Sequence, residues 1–587
     1  MPQAMPVSLH ESFKDRRVIS FRYIPAASWL ANYRAAWLGG DIVAGVTLAA
    51  YAIPVSLAYA SLAGLPPQVG IYGYLLGGIG YALLGSSRQL AVGPTSAISL
   101  MVAGSVGLMA DGDAQRYAQI ASLAAFTVAL LCVMSWALRL SALVKLISNS
   151  ILVGFKAGAA LTIAMTQLPS FIGVPGGGHN FFERLVLIAG QFGQVNSTVL
   201  AVGIAAIILL VAGDRLLPGR PTALGVVALS IVAASVLGLP ALGVPITGEI
   251  PSGLPTLQGP ALKLRDVEGI FPLAIGCLLL AYIEGVSAAR AFAAKHGYAL
   301  DPRQEFLGIG AANLAAALGH GYPVAGGLSQ SAVNDKAGAR TPLALVFASI
   351  ALALCLVFFT GLLENLPKTV LAAVVLIAVS GLLDFAAILR MWRVSRLDFY
   401  AAAIALIAVL LLGILQGILL AALASVLMLL ARVSQPHVAF LGRVPGTNTY
   451  SDLDRHPENE PLRGVIAFRP EASLIYVNAD TVLESVLKRL RATNRSKIRL
   501  VVCDLSASPY LDLAGSQMLH ELCNELAARG IALRIVGAHG WVRDLLRSDG
   551  LGERVGEIAR AVTLDSLLGA MATKRRRSRP HRLSKTH

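Results

Sequence analysis

Long stretches of this chain carry no Asp, Glu, Lys or Arg, and these stretches limit what it can fold into. An uncharged apolar run of about 20 residues crosses the hydrocarbon core of a bilayer as a helix. Only 14% of the 587 residues are charged and 56% are hydrophobic, whereas soluble proteins carry about 25% charged residues. The pattern predicts an α-helical polytopic membrane protein. The longest uncharged stretches are Ile42–Ser87, Leu185–Gly213, Pro221–Gly248, Phe306–Asn334 and Phe399–Ala431.

The apolar pattern divides into fourteen predicted membrane segments. The third and tenth each start from a Gly/Pro-rich stretch inside an uncharged region, so we expect short half-helices there. The fourteen segments lie near residues 40–61, 68–85, 94–110, 117–138, 143–167, 185–212, 221–238, 268–290, 304–319, 327–340, 342–361, 368–383, 398–413 and 415–432.

The charges in the loops predict an orientation. With the N-terminus inside, fourteen Lys and Arg residues lie at inner loops and span ends, against five at outer ones. This positive-inside bias predicts a multi-pass protein of a bacterial inner (plasma) membrane, with both termini cytoplasmic. The formal net charge of +15 therefore does not indicate a nucleic-acid partner. The basic tail Lys574–Arg582 is interpreted either as a segment near anionic membrane lipid or as a tail without function.

A weak internal similarity predicts two halves of seven segments. Val92–Ser99 resembles Ala325–Ala332 at a separation of 233 residues, and the same offset carries Tyr51 onto Glu284. Because seven is odd, the halves must insert with opposite topology. This is the inverted-repeat plan of many secondary transporters.

Beyond Arg432 the composition becomes that of a soluble domain. Strand-like runs at Leu474–Asp480, Arg499–Leu505 and Ala532–Ala538 alternate with helical stretches Thr481–Thr493 and Ser516–Gly530, which predicts a small α/β domain. The predicted division is a cytoplasmic segment 1–37, a transmembrane domain 38–433, the α/β domain 436–572 and a basic disordered tail 573–587.

Several long motifs resemble the sulfate permease (SulP) family. They include AGVTLAAYAIPVSLAYASLAGLPPQVGIYGY (Ala44–Tyr74), GSSRQLAVGPTSAISLM (Gly85–Met101), Gly297–Thr341 and LPKTVLAAVVLIAVSGLLD (Leu366–Asp384). CDLSASPYLDLAG (Cys503–Gly515) and Gly537–Leu551 resemble the STAS domain that is attached to such permeases. The resemblance implies a seven-plus-seven inverted repeat with a core and a gate domain, usually dimeric. It also implies transport of sulfate, bicarbonate, chloride or dicarboxylates, usually coupled to protons or sodium.

An anion inside the bilayer can be held by two facing helix N-termini, because each carries about half a positive charge and unpaired N–H donors. The alternative is that small residues merely let these helices pack closely. With the family resemblance, we expect a site at the two half-helix starts and on the first segment. The predicted substrate-binding residues are Gly93, Pro94, Thr95, Ser96, Gly327, Leu328, Ser329, Gln330, Tyr51 and Val55.

The chain departs from the family at two of these positions. Many members have Arg where Gln330 stands and Gln where Val55 stands, so a cation and an amide are missing here. Lys156, deep in the fifth segment, is hypothesised to supply positive charge to the path. The alternatives for this lysine are a structural pair with Glu284 and snorkelling toward the cytoplasm.

Glu284 is the other ionisable residue deep in a span. Burial favours the protonated carboxyl group, so Glu284 is the candidate proton-coupling residue, with a structural hydrogen-bonding role as the alternative. Sodium is the competing coupling ion, but Ala288 and Leu328 supply no oxygen ligand, although Ser287 and Ser329 are near. The expectation is proton-coupled anion symport, with sodium-coupled bicarbonate or dicarboxylate symport and channel-like conduction as alternatives.

Other functions are less favoured. A membrane-tethered sensor with a STAS output would not need the paired half-helices. The chain shows no nucleophile–base pair, metal cluster or phosphate-binding loop, so we expect neither enzymatic activity nor a cofactor. In the STAS-like part, Leu513 replaces the phosphorylatable serine of the related anti-sigma-factor antagonists. A docking, dimerisation, trafficking or assembly role is expected there instead of a phosphorylation switch.

Overall fold

The computed structural model describes residues 25–141, 148–178, 180–217, 221–260, 264–493, 498–560 and 562–577. The chain divides after Ser425 into two compact units. The predicted N-terminal segment up to residue 24 and the predicted basic tail beyond residue 577 lie outside the described residues.

The first unit consists of helices and two very short strands. In the first half these are α1 Pro25–Ala31, α2 Leu38–Leu62, α3 Pro67–Leu84, β1 Val92–Gly93, α4 Ser96–Ala110, α5 Ala114–Ala137, α6 Asn149–Ile172, α7 Phe181–Gly190, α8 Ser197–Leu216 and α9 Thr222–Val236. In the second half they are α10 Leu264–His296, α11 Gln304–Leu318, β2 Ala325–Gly326, α12 Leu328–Lys336, α13 Leu343–Phe358, α14 Thr360–Leu363, α15 Lys368–Ser380, α16 Phe385–Val394, α17 Arg396–Leu412 and α18 Ile414–Ser434.

Fourteen of the described helices correspond to the fourteen predicted segments, which confirms the polytopic architecture. Seven helical stretches in the described part of the chain have at least 18 residues and are apolar enough to cross a membrane. The half-helices α4 and α12 have 15 and 9 residues. The matching helices are α2 to α6, α8 to α13, α15, α17 and α18.

The sixth predicted segment, near 185–212, is wrong in its first part. Helix α7 ends at Gly190 and α8 begins only at Ser197. The Asn196 side chain accepts hydrogen bonds from the backbone N–H groups of Thr198 and Val199. An Asn at this position starts a new helix, so the membrane segment begins after Asn196 although the preceding residues are also uncharged.

Each helix contact described below in one half of the first unit has an equivalent contact when the helices of the two halves are exchanged. Helix α5 packs on α10 and α11, and in the equivalent way α13 packs on α2 and α3. Helix α6 packs on α17, just as α8 packs on α15. Strand β1 pairs antiparallel with β2, with Val92 opposite Gly326 and Gly93 opposite Ala325. These relationships confirm the inverted repeat.

Small residues let the helices of the first unit approach closely. A Cβ at Gly80 of α3 would clash with the backbone of Ala311 in α11, and one at Gly154 of α6 would clash with Ala402 in α17. In a bilayer, close backbone approach replaces the hydrophobic driving force between helices. Glycine is therefore required where α3 meets α11 and where α6 meets α17.

The second unit contains a five-stranded sheet in the order β4-β3-β5-β6-β7, with β5, β6 and β7 parallel. Buried apolar residues cover both faces of this sheet and form its core. Its elements are β3 Val438–Arg443, β4 Tyr450–Asp452, β5 Val465–Pro470, α19 Ala479–Ala492, β6 Leu500–Asp504, α20 Leu513–Ala527, β7 Ala532–Val536, α21 Gly540–Ser548, α22 Leu551–Val555 and α23 Leu564–Arg577.

The strand predicted at Leu474–Asp480 is wrong, because this run forms a turn that leads into α19. The Asn478 side chain accepts from the backbone N–H of Ile475 and donates to the carbonyl of Ser473, both at 3.0 Å. Asn closes such local turns readily. The apolar Tyr476 is left 75% exposed. The strand that precedes α19 is β5, which ends at Pro470.

Candidate functional site

The two crossing strands hold the starts of the half-helices together. The backbone N–H of Gly327 donates to the carbonyl of Ala91 at 3.3 Å. The Ser331 hydroxyl accepts from the N–H of Ala91 at 2.9 Å and donates to the carbonyl of Gly327 at 2.7 Å. Helices α4 and α12 therefore begin within a few residues of one crossing point, although their sequences are more than 200 residues apart.

Neither half-helix start is capped by a side chain. Thr95 and Gly327 occupy the N-cap positions of α4 and α12 in extended conformations, and neither position has a side-chain cap hydrogen bond. By contrast, Asp113 caps α5 and Asn196 caps α8. The Thr95 hydroxyl is buried without a hydrogen-bond partner among the described residues. First-turn N–H groups without a cap remain available to a ligand.

A cavity of about 420 Å³ lies at these helix starts. Most of the residues that the sequence predicts for the site line it together. They are Tyr51, Val55, Pro94, Thr95, Ser96, Lys156, Glu284, Gly327, Leu328, Ser329 and Gln330. Side chains from α2, α4, α6, α10 and α12 therefore surround one space of a size that suits a small ligand.

Gly93, which was also predicted for the site, does not line this cavity. It lies in β1 opposite Ala325, and a Cβ at this position would lie 2.6 Å from the ring of Tyr74. The glycine makes room for this aromatic side chain. Gly93 therefore lies at the crossing of β1 and β2 and not in the cavity lining.

Gln330 is held by the backbone of the crossing. Its side-chain amide donates to the carbonyls of Ala91 at 3.0 Å and Ala325 at 3.2 Å. Only 4% of the residue is exposed. Its amide N–H groups are thus used between the two crossing segments, whereas the first-turn N–H groups of α12 are not capped.

Lys156 and Glu284 face the cavity from different helices. Lys156 lies seven residues into α6, about 10 Å along the helix axis, and Glu284 lies in the middle of α10. Both are partly buried. The ion pairs within the described residues do not include these two residues, so the lysine and this carboxyl group of the cavity do not neutralise each other in a direct ion pair.

A second cavity, of about 430 Å³, adjoins the first and shares Tyr51, Val55 and Ser329 with it. Its lining continues to Asp214 at the end of α8 and Lys336 at the end of α12. Both helix ends belong to loops that the charge pattern predicts to face the cytoplasm. The two cavities together extend from the half-helix starts toward that face.

Sequence reasoning did not assign several residues that line the first cavity. Tyr59 follows Tyr51 and Val55 at intervals of four, so all three lie on one face of α2, and this spacing could have identified it. Asn149 and Asp384 stand at the N-terminal ends of α6 and α16. No sequence pattern relates these two positions to the half-helices.

The described residues contain no group of three or more His, Cys, Asp or Glu side chains that could hold a metal ion. Around Glu284, the only other side-chain oxygens on the neighbouring turn of α10 that reach the cavity lining belong to Ser287, since Ala288 and Ala291 are apolar. Thr95, Ser96 and Ser329 bring further side-chain oxygens to the lining from the starts of α4 and α12.

Comparison with known proteins gives one consistent result. Residues 38–405 match the sulfate permease family and residues 456–563 match the STAS domain. The chain is 34% identical over 548 residues to a probable sulfate transporter of Mycobacterium tuberculosis, covering 93% of this chain and 98% of that protein. It is 31% identical to the chloroplastic sulfate transporter 4.1 of Arabidopsis thaliana, covering 91% of this chain and 80% of that protein.

Solved structures are similar in fold at lower identity. The overall structure of SLC26A9 matches with a TM-score of 0.85 at 19% identity, covering 98% of this chain and 99% of that one. The transmembrane domain of a cyanobacterial bicarbonate transporter, BicA, matches with a TM-score of 0.57 at 20% identity, covering 67% of this chain and 98% of that one. These likenesses support the fold described above.

Proposed function

Because the chain belongs to the sulfate permease family and carries a STAS domain, we propose that it is a secondary transporter for small oxyanions of the sulfate class. The names of its relatives support sulfate as the first substrate to test. A multi-pass transporter with the loop charges described above is proposed to lie in the plasma membrane with both termini and the STAS domain cytoplasmic.

The observation that carries this proposal is the pair of uncapped half-helix starts at one cavity. Each start contributes about half a positive charge and free N–H donors. The Thr95 hydroxyl, which lacks a partner among the described residues, adds a further donor. Such partial charges help to hold an anion without a full set of permanent charges, which would bind it too tightly for release.

Lys156 is proposed to supply the only full positive charge in the lining of this cavity among the described residues. The Gln330 amide is occupied by two backbone carbonyls and contributes no cation. Lys156, which forms no direct ion pair among the described residues, can therefore attract the anion electrostatically at partial burial. This proposal takes the place of the snorkelling and structural-pair alternatives.

Glu284 is proposed to carry the coupling proton. A carboxyl group facing the same cavity as the anion repels it when ionised and does not when protonated, so proton and anion binding favour each other. Proton binding at Glu284 would thus accompany anion binding in a symport cycle. Ala288 and Leu328, which line the same cavity as Glu284, supply no side-chain oxygen, and this favours a proton over sodium as the coupling ion.

The experiment that tests the function is uptake of labelled anion into proteoliposomes containing the purified full chain. Sulfate, bicarbonate, chloride and a dicarboxylate are compared under an imposed proton gradient, an imposed sodium gradient and no gradient. We expect concentrative sulfate uptake driven by the proton gradient. Sodium-driven uptake would assign the alternative coupling ion, and a current without concentrative uptake would assign a channel-like conductor.

The division of the chain and its assembly are also proposals. We assign residues 1–37 to a cytoplasmic segment, 38–433 to transport, 436–572 to the STAS domain and 573–587 to a basic tail near anionic lipid. The family suggests a homodimer. Mass measurement of the purified protein by light scattering, corrected for detergent, distinguishes a dimer from a monomer.

A further inference from the structure

A third cavity, of about 340 Å³, lies away from the anion cavity and shares no lining residue with it. It forms where α1 and the turn that follows it cover three loops, which lie after α3, after α10 and before α13. Its lining is both basic and aromatic. The residues that give it this character are Trp29, Trp37, Arg88, Tyr298 and Arg340.

One guanidinium group in this cavity is held in place by an aromatic ring. The Arg88 guanidinium lies over the ring of Tyr298, 4.9 Å from its centroid. The Tyr298 hydroxyl donates to the side-chain oxygen of Gln89 at 2.9 Å and accepts from the backbone N–H of Arg88 at 3.1 Å. Stacking fixes the plane of the guanidinium and leaves its N–H edges free to donate.

Neither guanidinium is neutralised. The ion pairs formed within the described ranges include neither Arg88 nor Arg340, and both side chains belong to exposed residues. Asp41 is an acidic residue that contacts the lining of this cavity, and it is fully buried. Its carboxylate already accepts from the backbone N–H of Arg340 at 2.7 Å and from the N–H and hydroxyl of Thr341.

The surroundings of the cavity are apolar and exposed. Leu30, Leu38 and Leu83 are 54%, 41% and 51% exposed, and each is adjacent or close in sequence to a residue of the lining. Trp and Tyr side chains are typical of the level of lipid headgroups. A basic and aromatic cavity with apolar edges, at the ends of membrane spans, is suited to a ligand that is charged at one end and apolar at the other.

We propose that this cavity binds the phosphate group of an anionic phospholipid through Arg88 and Arg340. Guanidinium groups bind phosphate oxygens in pairs of charge-assisted hydrogen bonds, and basic cavities near span ends bind acidic headgroups. The exposed leucines would contact the acyl chains. They favour a lipid phosphate over a free one, because inorganic phosphate has no apolar part to bury.

The position of the two arginines gives the site a structural consequence. Arg88 lies four residues before β1, and Arg340 lies four residues after the end of α12. A phosphate held by both connects the segment that enters the crossing to the segment that leaves it. Bound lipid therefore stabilises the crossing without touching the transported anion.

The test is lipid-dependent thermal stability of the purified full chain in detergent. Phosphatidylglycerol is titrated, with phosphatidylcholine and inorganic phosphate as separate arms. We expect phosphatidylglycerol alone to raise Tm in a saturable manner. The double variant Arg88→Gln/Arg340→Gln should weaken the apparent affinity by at least about tenfold, with Tm in the absence of added lipid unchanged.

The matched control is Arg390→Gln/Arg393→Gln, which removes two exposed arginines from α16 and should respond to phosphatidylglycerol as the unaltered chain does. A saturable response that persists unchanged in Arg88→Gln/Arg340→Gln overturns the proposal. An equal response to inorganic phosphate overturns the assignment to lipid and leaves a free-phosphate site.

A second measurement avoids the double variant should it fail to fold. Phosphatidylglycerol with brominated acyl chains should quench the tryptophan fluorescence of the unaltered chain more strongly than brominated phosphatidylcholine. Unlabelled phosphatidylglycerol should reverse this excess quenching, and Trp29→Phe/Trp37→Phe should abolish it. Equal quenching by the two brominated lipids contradicts the proposal.

Discussion

Lys156 of α6 and Glu284 of α10 line the same cavity but do not form an ion pair. In a buried ion pair the two charges would neutralise each other, and little net charge would act on a ligand. Separated, each charge acts on whatever occupies the space between the helices. This separation leads to two predictions about transport.

The first prediction concerns the affinity for the anion. We expect Lys156→Gln to raise KM for sulfate about tenfold, because one charge-assisted contact is lost, and Lys156→Arg to restore most of the affinity. Initial uptake rates in proteoliposomes over a range of sulfate concentrations measure this. Lys488→Gln, on the exposed face of α19, is the control. Equal KM in Lys156→Gln and the unaltered chain would exclude a role in anion binding.

The second prediction concerns coupling. Glu284→Gln mimics a permanently protonated carboxyl group, so we expect uptake that a proton gradient no longer accelerates. Sulfate exchange at equal concentrations on both sides should persist, since exchange needs no net proton movement. Glu268→Gln, at an exposed position of the same helix, should keep the full response to the gradient. If Glu284→Gln also keeps it, another group carries the proton.

The third prediction concerns helix packing. In Gly80→Ala the new Cβ meets the backbone of Ala311, which cannot move away as a flexible side chain could. We expect a loss of about 1–3 kcal/mol in stability, measured as a lower Tm of the purified protein. Gly104→Ala is the matched control, because a Cβ there meets nothing within 4 Å. Similar Tm values for the two variants would contradict the packing described for α3 and α11.

The fourth prediction concerns pH and the second unit. His437 Nε2 lies 2.7 Å from an Asp452 carboxylate oxygen. Burial alone would raise the pKa of Asp452, but hydrogen bonds from His437 and from the backbone N–H of Asp454 outweigh it and lower this pKa below the usual 3.8. The contribution of Asp452 to stability is therefore present above pH 3.8 and is lost as the pH falls through the lower folded pKa.

Near neutral pH we expect the second unit of His437→Gln to be less stable than that of the unaltered chain. In acid we expect the variant to lose less stability than the unaltered chain does. Fluorescence of Trp541, the one tryptophan in the sequence beyond Ser425, reports unfolding of this unit in urea at several pH values. Arg489→Gln, which removes an exposed pair with Asp454, serves as a control. An unchanged acid dependence in His437→Gln would show that other groups lower the pKa of Asp452.

Much of the transport unit could be predicted because its signals are local. The absence of charges defines the spans, and Gly93-Pro94 and Gly326-Gly327 mark the two half-helices. The internal similarity places Tyr51 and Glu284 at equivalent positions of the two halves, and both residues line one cavity. These features depend on composition and spacing within short segments, which the sequence displays directly.

What could not be predicted depends on partners far away in the chain. The Gln330 side chain turns to the carbonyl of Ala91, 239 residues earlier, and no local pattern indicates this. The apolar run at Leu474–Asp480 has the composition of a strand, but Asn478 closes a turn there. The arginines of the third cavity, Arg88 and Arg340, line one space although 252 residues separate them in the sequence.

The two residue pairs between β1 and β2 set an order for biosynthesis. Strand β1 cannot find its partner until the ribosome has made, and the insertion machinery has released, the chain through Gly326. Until then the first seven spans lie in the bilayer with β1 unpaired. The crossing therefore cannot form before the chain through Gly326 has been made, and truncations before this point should yield inserted protein that does not transport.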